Sequence, residues 1–159
     1  MTERIELPVF PVAGGCHCGA VRYELLARPR GVYACHCKDC QRFSGAGYTL
    51  SMVVAKADLR VTKGTLTGYH KTADSGRKQV MHGCAECGVR IWNEPLASPD
   101  ILVLKPGTLD DAGWAVPVGN IWTASKLAWV AIDPDEPAFP GQPPSRDALY
   151  AAWDKLVDG

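Results

Sequence analysis

The chain has 159 residues, 47% hydrophobic and 21% charged, a composition that excludes disorder and suits one folded domain with its own core. Seventeen basic residues offset 17 acidic ones, so the formal net charge is zero and nothing global draws the chain to nucleic acid or anionic lipid. No apolar run reaches the roughly 18 residues of a membrane span, and the polar start Met1 to Glu6 is unlike a secretory signal; the expected setting is the cytoplasm, with no membrane or nucleic-acid partner.

In chain order, strand-like segments dominate. Val21 to Leu25 alternates at period two, Tyr48 to Val54 is apolar and β-branched, and Leu59 to Thr62 alternates before Gly64. Gly68 to Thr72 and Arg77 to His82 read as a hairpin around Ala73-Asp74-Ser75-Gly76. Val89 to Trp92 and Ile101 to Leu104 predict two further strands, with Glu94 to Pro99 as the loop between them. Residues 134–144 hold five prolines and predict an extended arm over the surface. Ser145 can cap a C-terminal helix over 145–158, whose Ala148, Leu149, Ala152, Trp153 and Leu156 share one face. The expected fold is therefore mostly β with one terminal helix, in a single domain spanning 1–159 whose core covers about 14–133.

The seven cysteines carry the functional signal. Reducing conditions and an odd count favour metal binding or catalysis over disulfides. They fall into three groups: Cys16 and Cys18, Cys35, Cys37 and Cys40, and Cys84 and Cys87. Short spacings let neighbouring thiolates reach one tetrahedral ion, and the glycines flanking the first and last groups permit the tight turns this needs. The two pairs together make a complete set of four. The triplet leaves one position free. A filled tetrahedron marks a structural zinc and three protein ligands mark a catalytic one. Cys16, Cys18, Cys84 and Cys87 are thus candidate structural zinc ligands, and Cys35, Cys37 and Cys40 candidate catalytic ones. The alternative, in which His36, His82 or Asp39 closes the second site as a fourth ligand, stays open. A redox role for either C-x-x-C is disfavoured because neither is expected at a strand-to-helix start.

Three segments carry a resemblance: Gly15 to Glu24, Cys35 to Gly45 and Cys84 to Gly88. With Gly107 to Asp111 and Ile121 to Trp129, they are similar to the glutathione-dependent formaldehyde-activating family, which also includes centromere protein V-like members. The resemblance runs from about Gly14 to Pro143, with one departure: Asn120-Ile121-Trp122 stands where many members read His-Ile-Trp. It implies an Mss4-like fold of twisted antiparallel sheets and two zinc ions per chain, the catalytic one prone to partial occupancy. It also implies a carbon–sulfur lyase-type reaction that adds the thiol of glutathione, or a similar thiol, to formaldehyde or another small electrophile in detoxification. The small-molecule partners would be a thiol and an aldehyde, or their adduct; a homo-oligomer is compatible with this.

Three thiolates and Zn²⁺ sum to minus one, which favours a soft sulfur as fourth ligand and zinc as carrier of a substrate thiolate. Lys38 and Arg42 can offset the triplet's charge or lie on the surface, and Phe43, Tyr48 and Trp122 can wall a pocket or join the core. His36 is expected to bond to a sulfur, with a proton shuttle as the alternative. Asn120 is expected to meet substrate or cap a turn, Ser44 and Gly45 to shape the turn after the site, and Trp92, Trp114 and Trp129 to pack. The competing function is a non-catalytic zinc module that binds a protein partner; a methionine sulfoxide reductase ranks low, since every cysteine is committed to a metal group.

Overall fold

The computed structural model describes residues 4–159, so the first three residues of the polar start lie outside it. The chain forms β1 (Val12–Gly15), β2 (Arg22–Leu25), β3 (Gly31–Cys35), α1 (Lys38–Ser44), β4 (Thr49–Ala55), β5 (Leu59–Lys63), β6 (Leu66–Thr72), β7 (Lys78–Cys84), β8 (Arg90–Pro95), β9 (Ile101–Leu104), β10 (Asn120–Ile121), β11 (Ala138–Phe139) and α2 (Asp147–Asp158). The fold is mostly β with a C-terminal helix. β1, β2 and β5 make a small sheet; the other eight strands form a second in the order β11-β10-β3-β4-β9-β8-β7-β6. Pairing is antiparallel except around β10, which runs parallel to both β3 and β11.

The large core lies between the sheets and α2, with Tyr23, Leu25, Met52, Ile91, Leu104 and Trp153 wholly enclosed. A second cluster, of Tyr33, Cys35, Val53, Ile101, Ile121 and Leu149, packs under Cys37, Cys40 and Trp122. The triplet therefore stands on an apolar floor that limits the freedom of its backbone.

Several expectations are corrected. The segment 134–144 is only partly a surface arm: Ala138–Phe139 extends the large sheet, and the Asn120 N–H donates to Pro137 O at 2.8 Å. The terminal helix begins at Asp147, though Ser145 Oγ does accept from the Asp147 N–H at 3.1 Å. Its buried face is Leu149, Trp153, Leu156 and Val157, and Ala148 is exposed. Trp92 and Trp114 are core residues, but Trp129 is 71% exposed. It lies across Gly47, where an added Cβ would come within 2.9 Å of its ring, so a side chain there would have to displace the indole.

Candidate metal centre

The four-cysteine group is built by two tight turns brought together across the fold. Cys16 follows β1, and its N–H donates to Val21 O at 3.1 Å; Cys84 ends β7, and its N–H donates to Val89 O at 2.9 Å. Gly19 and Gly88 close these turns at φ 76° and 75°, a left-handed backbone that favours glycine. The result sets Cys18 Sγ 3.6 Å from Cys16 Sγ and 3.7 Å from Cys84 Sγ, residues as much as 66 positions apart. Four thiolates about 2.3 Å from one tetrahedral ion stand about 3.8 Å from each other. The observed spacing fits such an ion, and all seven cysteines are free thiols rather than disulfides. The Val21 N–H donates to Cys16 Sγ at 3.2 Å and brings that thiol down to about 6, into the range where it is a ligand-ready thiolate.

The triplet is built differently. Cys35 ends β3, which is held on one side by β4 and on the other by β10, with Ile121 opposite Cys35. Cys37 caps α1, its sulfur accepting from the Cys40 N–H at 3.3 Å, and Cys40 sits in the helix's first turn. This overturns one sequence expectation, since Cys37-x-x-Cys40 does occupy a strand-to-helix start. Cys35 supplies a third sulfur, and the three sulfurs lie within 4.8 Å of one another, a grouping suited to a metal rather than to a two-thiol redox pair. Crowding separates their acidities. Hydrogen bonding from Cys35 holds Cys40 far below the usual thiol range, and the Cys37 contact pushes Cys35 far above it.

No His, Asp or Glu ligand atom joins the three sulfurs within that distance among the described residues. Asp39 is ion-paired to Lys71 at 2.5 Å. His82 bonds to Glu94 at 2.9 Å and stacks near Trp92, outside the cleft. His36 is enclosed; its Nε2 lies 2.9 Å from Asn120 Oδ1, and its Nδ1 has no partner. The expected bond from His36 to a sulfur is absent, and Asn120 neither meets the cleft nor caps a turn. Asn120 Nδ2 donates to Glu136 Oε2 at 3.0 Å, which turns Oδ1 toward His36 and makes Nε2 the donor there.

The triplet opens into a cleft of about 130 Å³. Phe43 and Trp122 line it, whereas Tyr48 stacks on His36 instead. Trp122 is held at φ 60°, the sole non-glycine residue with a positive φ among the described residues, and such strain gathers at functional sites. Lys38 and Arg42 are exposed and lie outside the lining; Gly45 ends α1 at φ 65°, as expected of the turn after the site. The cations that do line it are Lys71, Arg77, Lys78, Arg90, Lys105 and Arg146, none of them singled out in the sequence. Burial, assisted by Arg90, brings Lys105 down to about 8, against the opposing pull of the three cysteines. The signal that could have found Arg90 and Lys105 was weak: each is a lone cation bordering an apolar strand.

Residues 11–125 match the sequence profile of the glutathione-dependent formaldehyde-activating enzyme family, most of the chain. The chain belongs to this family. Among its relatives, a Halomonas elongata protein provisionally named a glutathione-dependent formaldehyde-activating enzyme is 26% identical over 147 residues, 88% of this chain and 92% of that one. A crystal structure of a Rhodobacter sphaeroides protein covers 80% of this chain and 98% of its own, at 22% identity and a TM-score of 0.48. Membership of the formaldehyde-activating family points to chemistry on glutathione and formaldehyde, and both cysteine groups are compatible with zinc. No helix among the described residues is long and apolar enough to cross a membrane.

Proposed function

We propose that this protein is a zinc-dependent carbon–sulfur lyase-type enzyme that joins a thiol, glutathione or a close analogue, to formaldehyde or another small aldehyde. The observation that carries this is the contrast between the two cysteine groups. One is a closed set of four sulfurs, and the other is a set of three at the floor of a cationic cleft. In this reading Cys16, Cys18, Cys84 and Cys87 hold a structural zinc, and Cys35, Cys37 and Cys40 hold a catalytic one.

A zinc ion bound by three thiolates supplies a site where a substrate thiol is held as thiolate. The chain's own residues do the rest. Cys35 and Cys37 are fixed by β3, β10 and the α1 cap, so the ligand set is preorganised before any ligand arrives. The cleft wall from Phe43 to Trp122 confines a small aldehyde beside the sulfur and limits water. Arg77 and Lys78 at the hairpin can meet a substrate carboxylate, since neither has a carboxylate partner among the described residues. On addition, the S–C bond forms, the carbonyl π pair moves to oxygen, and that oxygen takes a proton from solvent.

The test is metal analysis beside an NMR assay of glutathione with ¹³C-formaldehyde. Two zinc ions per chain and faster equilibration of the S-hydroxymethyl adduct are expected. A protein with two metals that leaves the equilibration rate of every thiol and aldehyde pair unchanged would instead be the non-catalytic zinc module. The fourth position, for which the triplet has no His, Cys, Asp or Glu ligand among the described residues, weighs against that module, whose zinc sites are closed.

A further inference from the structure

Arg90 opens β8 and Lys105 follows the last residue of β9, and these strands are neighbours in the large sheet. The Lys105 N–H donates to Ile91 O at 2.8 Å, so the two cations are carried side by side. Lys105 is only 9% exposed, and its Nζ reaches a single polar atom, Ser51 Oγ at 3.4 Å. Arg90 lies over the Phe43 ring at 5.0 Å. Neither has a carboxylate partner among the described residues, and both line the cleft with Cys35, Cys37 and Cys40. Of the cleft's acids, Asp39 is taken by Lys71 and Asp74 sits on the hairpin turn. One buried and one half-buried positive charge, neither with a carboxylate partner, are costly in isolation. The negative charges that act on both are the three sulfurs of the triplet.

Lys71 is paired with Asp39, Arg77 and Lys78 are exposed, and Arg146 lies against Tyr33 and Tyr150, so the charge balance is drawn between the triplet and the pair Arg90 and Lys105. Three thiolates with a divalent ion carry minus one, which leaves the pair one charge in excess. Four thiolates with the same ion carry minus two, which cancels Arg90 and Lys105. We propose that Arg90 and Lys105 are the counter-charge of a four-thiolate complex, and that they make the triplet's vacant position select an anionic thiolate over a neutral ligand. This rests on the zinc assignment given under Proposed function. When a thiol binds, its sulfur lone pair goes to the ion and its proton leaves to buffer, so the protein gains one negative charge. These are specificity residues that act through charge and not through the bond-making atoms.

The experiment uses full-length protein loaded with cobalt(II) and read by its visible spectrum at fixed pH and ionic strength. The probes are 2-mercaptoethanol, which binds as a thiolate, and imidazole, which binds neutral. Lys105→Met and Arg90→Gln are expected to keep two metals and to weaken 2-mercaptoethanol binding about tenfold each, while leaving imidazole within about twofold. Lys105→Arg should retain thiol affinity. Equal thiol affinity in wild type and both variants, with both metals present, would overturn the proposal. So would loss of the triplet metal alone in the variants, which would assign the cations to holding the ion. Wild type that takes up only one cobalt, or none at the triplet, would overturn the zinc assignment itself, and this proposal with it.

Discussion

His36 and Asn120, 84 positions apart, meet in the protein interior through a 2.9 Å hydrogen bond from the imidazole Nε2 to the amide Oδ1. The backbone reinforces it, since the His36 N–H donates to Ile121 O at 3.0 Å. The peptide between Cys35 and Cys37 is therefore clamped from β10 at two levels. Removing the Asn120 side chain leaves a second imidazole nitrogen buried without a partner. Asn120→Ala is expected to cost about 1–3 kcal/mol in urea unfolding. It should also lower metal occupancy at the triplet while sparing the four-sulfur site. Loss of stability with both occupancies intact would show that the clamp does not reach the sulfurs.

The two cysteine groups should respond oppositely to single replacements. Cys87→Ser breaks the set that joins the N-terminal turn to the β7–β8 turn. It is expected to lower stability by about 4 kcal/mol, the stabilisation from a ligand at a thousand times its Kd. Cys37→Ser should lose one metal, abolish adduct formation and lower the melting temperature distinctly less than Cys87→Ser does. Metal analysis with calorimetry on the same samples checks this; similar melting of the two variants would refute the division.

Tyr23 gives a pH signature. Its phenol is enclosed and donates to Thr108 Oγ1 at 2.8 Å, since that oxygen's own proton goes to Lys105 O at 2.8 Å. Burial pushes the phenol far above its ordinary value of 10. A raised acid group contributes stability that is complete below its unfolded value and is lost as pH climbs beyond it. Tyr23→Phe should cost about 1 kcal/mol at pH 8 for the missing hydrogen bond. Because the phenylalanine cannot ionise, the gap should close or reverse by about pH 11. A constant gap in denaturant midpoints across that range would contradict the assignment.

Trp153 anchors α2, is wholly buried, and its Nε1–H has no partner. Trp153→Ala opens a large cavity and is expected to cost about 3–5 kcal/mol. Trp153→Phe leaves a smaller void and removes the unsatisfied donor, two effects of opposite sign, so it should cost less than about 1.5 kcal/mol. Comparable losses for the two would mean that the indole N–H is satisfied in solution.

The cysteine grouping was legible because its spacing is local, and the hairpin of β6 and β7 because alternation and turn chemistry agree. β3 escaped notice because Gly31 to Cys35 is buried throughout and has no alternation to detect. α1 has seven residues, none of them buried, too few to establish a helical period. β10 and β11 are two residues each, and only their partners make them strands. The cationic lining of the cleft was hidden for the same reason. Arg90 and Lys105 are brought side by side by the order of strands in the sheet, which no local pattern reports.

The parallel placement of β10 beside β3 has a consequence for biosynthesis. As the chain leaves the ribosome, Cys35, Cys37 and Cys40 emerge well before Cys84 and Cys87. Yet the four-sulfur set is chemically complete once residue 87 is out, whereas the triplet's clamp and cleft need Asn120, Gln142 and Arg146. The cysteines born in the middle of the queue are thus the last to be housed. On stalled nascent chains of increasing length, the outer four thiols should become protected from alkylation before the inner three.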